Sequence, residues 1–357
     1  MESISGTFLF ISFRCIGKKT MLRKNASNKG VITPLPATII NPNANNPISS
    51  IDRRTVSGNS FIKNLMVFVN LINKWAGGYK FPSFAGGELK CLNIAPSMNQ
   101  LRIATYNLRY ANDKDTGNLW VDRSPVVINL IRFHDFDILG TQEGIKVQLD
   151  DISTSLHYYQ RFGVARDDGK EAGEHSAIFF KTEKFKLIKG GNFWLSEKPQ
   201  SPGLGWDAKH NRLCTWVELE IKDNQEKIFV FNAHFDYHGI KAREESSRLV
   251  LENITEIAAG NKCVLTGDFN SDHETICYKT LAESQILKDA FTLAKHPYIN
   301  NPSFNSWGRD SEENKLIDHI FVTRHFKVNK YGILTDTYFS KVPSDHFPVV
   351  VDLTTEQ

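Results

Sequence analysis

No run of eighteen apolar residues occurs anywhere in this 357-residue chain, so no part of it reads as a bilayer-spanning helix. Paired cysteines are also missing. The five present (Cys15, Cys91, Cys214, Cys263, Cys277) are odd in number, widely scattered and never in a CxxC arrangement. This excludes a disulfide framework and a cysteine-rich zinc centre, and fits a reducing, cytoplasmic setting. No internal repeat is evident, and neither sign of charge dominates: 43 basic and 40 acidic side chains give a net charge of +3. The balance is uneven along the chain. Residues 1–98 carry 12 Lys and Arg against 3 Asp and Glu, which leaves 31 against 37 in the remainder. A mildly acidic body is poorly suited to tracking long nucleic acid by charge, because such binding neutralises many phosphates.

The first 98 residues lack sustained periodicity and are rich in Asn, Ser, Pro and Gly, as in TPLPATIINPNANNPISSIDRR. That composition reads as mostly disordered. Two apolar patches interrupt it. TFLFISF has no basic residue before it and is about seven residues long, short for the core of a secretory signal. FIKNLMVFVNLINKW (61–75) places Ile62, Leu65, Met66, Val69 and Ile72 on one helical face, with Phe68 and Leu71 off it, so one short helix is expected there. Met98 stands just ahead of the first strong strand, and a native chain starting at that methionine is the simplest account of the extension. A native peptide beginning at Glu2 would overturn that account.

From residue 99 the texture changes. Strand-like runs appear at 101–108, 136–143, 176–181, 214–221, 227–235, 262–270, 315–323 and 347–353. Helical patterns fall between several of them, notably SPVVINLIRFH (124–134) and KAREESSRLVLENITEIAAG (241–260), the second closed by a C-terminal Gly. One α/β domain over 99–357 is expected.

Five of those strands carry an acid, an amide or an imidazole, most of them at the strand end. LRIATYNL delivers Asn107, FDILGTQE delivers Glu143, and KIFVFNAHF delivers Asn232 and His234, with Asp236 just beyond. KCVLTGDFN delivers Asp268 and Asn270, KLIDHIFVT carries Asp318, and Asp345 and His346 stand just before the last strand. Gly, Asp, Asn and Ser are ordinary turn residues, and a single such ending is explained by turn chemistry. Five are not, because polar groups at the ends of apolar strands are costly unless something pairs them. Oxygen ligands without cysteine suit Mg²⁺ or Mn²⁺ better than zinc. With such an ion, phosphoester hydrolysis is the natural reaction: metal polarises the phosphoryl group while a carboxylate and an imidazole handle protons.

In order, YNL, TQEG, NAHFDYHG, GDFN, IDHIFV and SDHFPVVVDL resemble the blocks of the endonuclease/exonuclease/phosphatase (deoxyribonuclease I-like) superfamily, over about residues 100–355. The resemblance implies an α/β fold, a four-layer α/β/β/α sandwich with two central mixed β-sheets and the site at one edge. It implies Glu143, Asn107 and Asp345 around the metal, Asp268 positioning or deprotonating water, and Asn270 orienting it. His346 would contact the scissile phosphate, Asp318 would fix the His346 tautomer, and His234 would sit on another phosphate oxygen. Asp236 and Asn232 could equally order the loop beneath His234. His319 alternates onto the opposite strand face and reads as a packing residue, as does Phe269.

The stretches RDDGKEAGEHSAIFFK (166–181) and NFWLSEKPQSPGLGWDAKHNRLCTW (192–216) resemble a mainly bacterial branch related to the nocturnin-like deadenylases, with His175 where that branch has Tyr. Trp206 and Trp194 could wall a sugar or a base, although large aromatics more often fill cores. Arg212 and Arg243 could clamp a second phosphate or a carboxylate; Glu174 would face the metal and His175 the substrate. The acidic body favours a small phosphorylated substrate such as a sugar phosphate. Related scaffolds digest RNA from the 3′ end, so a 3′–5′ RNA exonuclease or other nuclease is the alternative. A catalytically inactive binding module is a third reading, opposed by the intact set from Asn107 to His346. No stable protein partner is implied.

Overall fold

The computed structural model describes residues 100–356; the expectations for residues 1–98 lie outside them. Twelve strands form two six-stranded sheets. The first sheet has the order β11-β12-β1-β2-β4-β3, built from β1 (Gln100–Asn107), β2 (Ile138–Gly144), β3 (Tyr159–Phe162), β4 (His175–Lys181), β11 (Phe326–Ile333) and β12 (Val349–Thr355). The second has the order β5-β6-β7-β8-β10-β9, from β5 (Phe185–Trp194), β6 (Leu213–Ile221), β7 (Lys227–His234), β8 (Cys263–Asp268), β9 (Lys288–Asp289) and β10 (Asp318–Val322). Both are mixed: β1 runs parallel to β2 and β7 parallel to β8, while the other pairings are antiparallel.

Period-2 alternation sorts each strand between two cores. Ile103, Ile138, Ile178 and Val351 of one sheet meet Val217, Val230, Val264 and Ile320 of the other in the layer between the sheets. The alternate residues face helices. Ala104, Tyr106, Leu139 and Phe179 pack on α1 (Trp120–His134) and α2 (Lys146–Ser155), while Phe229, Phe231, Leu265 and Phe321 pack on α3 (Ile240–Ala258) and α4 (Ile276–Ala282). A one-turn α5 (Ala290–Leu293) follows β9. The result is the α/β/β/α order. In α3 the buried stripe is Ala242, Ser246, Val250, Ile254 and Ala258, at helical spacing. Its C-cap Ala259 and the following Gly260 both have positive φ (45° and 80°), the left-handed exit that a glycine signals.

α1 begins a turn earlier than the helical pattern expected over 124–134. Trp120 is buried and its indole N–H donates to Asp151 of α2 (2.8 Å), so the extra turn is held by tertiary contact rather than by propensity.

At Gly140 of β2 the two sheets approach too closely for a side chain. A Cβ there would lie 2.3 Å from Thr266 Oγ1 and 2.6 Å from Asn232 Oδ1. Asn232 spans the gap: its amide N–H donates to the carbonyls of Thr141 (2.9 Å) and Ala177 (3.0 Å), and its oxygen accepts from Gln142 (2.7 Å) and Thr266 (3.1 Å). Asn232 is therefore a bracket between the sheets, every polar atom paired. Among the described residues no helix is long and apolar enough to cross a membrane.

Candidate active site

The inward-facing rows change character at one edge of the sandwich. Along β8 the inward row reads Val264, Thr266, Asp268; along β7 it reads Val230, Asn232, His234. Register aligns the polar ends: Asn107 lies beside Gln142, His234 beside Asp268, and Asp268 opposite Asp318. β10 begins at Asp318, and β12 runs antiparallel to β1. Ser344, Asp345 and His346, which precede β12, therefore reach the same edge.

Asn107 is the link between the sheets here. Its Nδ2 donates to Glu143 Oε1 (3.1 Å) and to Asp268 Oδ2 (2.9 Å), while its Oδ1 accepts from the Arg109 backbone N–H (2.9 Å). To serve as an oxygen ligand the amide has to turn over, exchanging these bonds. Strand alternation would send Gln142 and Glu143 to opposite faces. Glu143 instead has φ of 62°, and the pairing of β2 with β4 is irregular between Thr141 and Gly144. That kink turns its carboxylate onto Asn107 and the backbone N–H of Tyr110 (3.1 Å), while Gln142 stays on Asn232. Arg109 and Asn270 also have left-handed φ (52° and 48°). Backbone strain of this kind, about 1–3 kcal/mol per residue, persists where surrounding structure over-determines it.

His346 Nδ1 lies 2.8 Å from Asp318 Oδ2, and its Nε2 is 3.8 Å from Asp268 Oδ2. Phe304 packs edge-on against the ring at 5.0 Å between centroids. Burial alone would discourage a charge on His346, but Asp318 and Asp268 outweigh it and hold the imidazole protonated up to about 10. Burial, with Asp318 nearby, pushes the Asp268 carboxyl up. Burial and Glu143 do the same to Asp345, whose Oδ2 stands 3.8 Å from Arg109 Nε.

His234 Nε2 is 3.5 Å from Asp268 Oδ2 and 3.4 Å from the Asn270 amide nitrogen. Asn270 also donates to the Phe235 carbonyl (3.0 Å), and its own N–H donates to Asp268 Oδ1 (3.0 Å). Arg212, buried, places Nη1 2.9 and 3.0 Å from the two ring nitrogens of His234. Burial first, then Arg212 and Arg166, holds His234 well below its ordinary pKa, so the ring is neutral. Glu174 pairs with Arg166 and lies 3.9 Å from both Arg212 and His234. Burial, then Glu143, pushes the Glu174 carboxyl up against the pull of the two arginines. Arg166, Glu174, His175, Ser176, Arg212, Leu213 and His234 line one small cavity, and His175 Nδ1 lies 3.1 Å from the Gly144 carbonyl.

Not every residue singled out in the sequence reaches this cluster. Arg243, in the first turn of α3, donates to the Asp236 carbonyl (2.9 Å) and braces a loop. Trp206 is half-buried, donates its backbone N–H to Glu197 (3.1 Å) and does not line the cavity. Trp194 is core, its indole N–H on the Arg166 carbonyl (2.7 Å). Asp236 accepts backbone N–H bonds from Lys209, His210, His238 and Gly239 at 2.8–3.1 Å, the loop-ordering role. Phe269 turns outward into the helix-side core with Phe235 and Phe321.

Three residues carry more of the site than their sequence context announces. Arg166 supplies the second guanidinium of the cavity. Arg109 adds a cation beside Asp345. Arg123, fully buried on α1, donates to the carbonyls of Leu108, Arg109 and Pro343, tying the exit of β1 to the segment that carries His346.

Glu143 and Asp268 bring carboxylate oxygens within 4.8 Å of one another, bridged by the Asn107 amide, and the buried Asp345 carboxylate feels the Glu143 charge. Buried carboxylates grouped in this way favour a cation, and a hard divalent ion such as Mg²⁺ or Mn²⁺ suits their oxygens. The His234 side fits it less well, since the Arg212 guanidinium already presses on that imidazole.

The model of the Endonuclease/Exonuclease/phosphatase family matches residues 104–346. A solved mannosyl-6-phosphatase from Bacteroides thetaiotaomicron is 44% identical, with a TM-score of 0.69, covering 71% of this chain and 99% of that one. Another endonuclease/exonuclease/phosphatase family protein from the same organism is 43% identical, with a TM-score of 0.70, covering 72% and 98%. An uncharacterized protein of Acanthamoeba polyphaga mimivirus is 27% identical over 251 residues, 65% of this chain and 91% of the relative. With most of its length matched and its six blocks gathered at one edge of the double sheet, this chain belongs to the endonuclease/exonuclease/phosphatase family and is a phosphoesterase by family.

Proposed function

We propose that this protein is a metal-dependent phosphomonoesterase acting on a small phosphorylated sugar. The observation that carries the substrate class is the 44% identity to a mannosyl-6-phosphatase across 99% of that enzyme. The charges on one side of the site are compatible with it: Arg166 and Arg212 stand behind Glu174 and His234, and guanidinium groups there favour an anionic, phosphorylated ligand. The acidic balance of residues 99–357 points the same way.

Glu143, with Asn107 and Asp345, would hold Mg²⁺ or Mn²⁺, which supplies Lewis-acid polarisation of the phosphoryl group. Asp268, held by Asn107 and the Asn270 N–H, positions the attacking water and takes its proton as the new P–O bond forms. Protonated His346 faces the scissile phosphate and gives its proton to the leaving ester oxygen as the old P–O bond breaks. Asp318 fixes the His346 tautomer with the carboxylate behind the ring. Neutral His234, backed by Arg212, and the amide of Asn270 bind the non-bridging oxygens.

The test is a phosphate-release assay on a panel of sugar phosphates beside end-labelled RNA, each with Mg²⁺ and with EDTA. The proposal expects EDTA-sensitive release from a sugar phosphate with shallow salt dependence. RNA shortening from the 3′ end with steep salt dependence, and no sugar-phosphate turnover, would replace it with the exonuclease reading. Hydrolysis indifferent to EDTA would remove the metal from the mechanism.

A further inference from the structure

On the helix-facing side of β10, away from the catalytic edge, three side chains from separate segments converge. His273 comes from the loop after β8, Asp289 from β9 and His319 from β10. His319 Nδ1 lies 3.4 Å, and His273 Nε2 3.8 Å, from the same oxygen, Asp289 Oδ2. His319 Nε2 lies 2.9 Å from the Ser271 carbonyl, which only accepts, so the ring proton sits on Nε2 and Nδ1 is left facing the carboxylate. Neither that Nδ1 nor His273 Nε2 has a hydrogen-bond partner among the described residues.

The His319 Nδ1 lone pair facing a carboxylate oxygen is repelled unless something positive lies between them, and His273 Nε2, 3.8 Å from the same oxygen, stands beyond hydrogen-bond reach of it. An added proton on His319 pairs that ring with Asp289 and leaves His273 Nε2 unpartnered. A divalent cation satisfies all three ligands together. The separations are near those of a ligand set: ligands at about 2.0–2.1 Å from a tetrahedral zinc stand roughly 3.3–3.4 Å apart, and here the two imidazole–carboxylate edges are 3.4 and 3.8 Å, with all three atoms within 4.8 Å of one another. Two imidazoles and one carboxylate suit zinc better than Mg²⁺ or Ca²⁺. The surroundings are those of a ligand set as well. The Ser271 carbonyl fixes the His319 tautomer, and Asp289 accepts from the Tyr278 hydroxyl (2.8 Å) and the Phe291 N–H (2.9 Å), the outer bonds that orient metal ligands. Ring packing among His273, Tyr278, His319 and Phe291 explains why the rings cluster, but not two unpartnered nitrogens beside one carboxylate. His319 and Asp289 are buried, whereas the His273 side chain is 33% exposed, an entry path for the ion.

We propose that His273, Asp289 and His319 form a zinc site, separate from the catalytic metal, that clamps the loop behind Asn270 to β9 and β10. The experiment uses the full chain, stripped with EDTA and titrated with Co²⁺ under saturating Mg²⁺. His273→Ala and Glu143→Gln are treated in parallel. Native protein and Glu143→Gln are expected to take up one equivalent giving the intense visible absorption of tetrahedral Co²⁺, displaced by one equivalent of Zn²⁺. His273→Ala is expected to lose that band and that equivalent, to lose the Zn²⁺-dependent rise in Tm, and to keep Mg²⁺-dependent hydrolysis. A native protein with neither a band nor a Zn²⁺-dependent Tm shift would overturn the proposal and leave a His319–Asp289 ion pair. So would a His273→Ala variant that retains both signals.

Discussion

β10 carries two histidine–aspartate pairs on opposite faces, from adjacent residues. Asp318 points between the sheets and holds His346 at 2.8 Å; His319 points toward the helices and faces Asp289 at 3.4 Å. The chemistry of the partners is the same, yet the settings differ. The inward pair stands at the open edge with Asp268 3.8 Å away, and its carboxylate holds a ring that, in the proposed reaction, hands over a proton. The outward pair is enclosed by Tyr278, Phe291 and Phe321, with a second imidazole in place of a substrate. A buried His–Asp contact by itself does not say what a residue does; the third group decides.

The largest effect expected is on the inward side. His346→Ala and Asp268→Ala should each lower Mg²⁺-dependent phosphate release by about 100- to 10,000-fold, the usual span for general acid–base groups, with circular dichroism unchanged. Near-native rates in either would break the distinction. Asp318→Asn keeps the ring in place while removing the charge behind it, and a loss of about 10- to 100-fold is expected, as for other groups that orient a functional imidazole. A loss equal to that of His346→Ala would make Asp318 a direct participant. His273→Ala, on the outward side, should change the same rate by less than about threefold, in line with substitutions away from the reacting groups.

A smaller effect should appear in stability. Burial opposes a charge on Asp236, but the backbone N–H groups of Gly239 and Lys209, Arg212 and the His238 N–H hold its carboxyl below the usual range. The contribution is therefore present above the unfolded carboxyl pKa of about 3.9 and is lost as pH falls below it. Asp236→Ala should cost about 1–3 kcal/mol at neutral pH, read by urea melts, and the difference from native should shrink in acid.

Much of this was legible in the sequence because two periods of different length govern it. The central strands are apolar and alternate cleanly, so the polar residue at each end could be assigned a face, and Phe269 and His319 were sent to the opposite one. The four strands that escaped notice lie at sheet edges or carry mixed faces: β11 reads FKVNKYGI and β5 reads FKLIKGGNFW, lysine-bearing runs whose pairing decides their fate. β9, of two residues, is too short for any period. Glu143 was identified by its neighbours, but its left-handed φ breaks the alternation that would have aimed it. Arg166 sits on a loop, where no period applies. Asp289 is 30 positions from His319, and only tertiary pairing brings it beneath that ring.

Gly140 carries a consequence for how the enzyme fails. Within the candidate catalytic cluster, Asn107 and Glu143 belong to one sheet, and His234, Asp268 and Asp318 to its neighbour. The glycine leaves room for Asn232, backed by Thr266 of its own sheet, to rivet the two plates just beneath that seam. A methyl group at this point would wedge the plates apart at the working edge while the apolar end stayed shut, like a book held open by a pin near its margin. Gly140→Ala should therefore yield a protein that keeps its secondary structure and its family likeness, yet has lost alignment before it has lost folding.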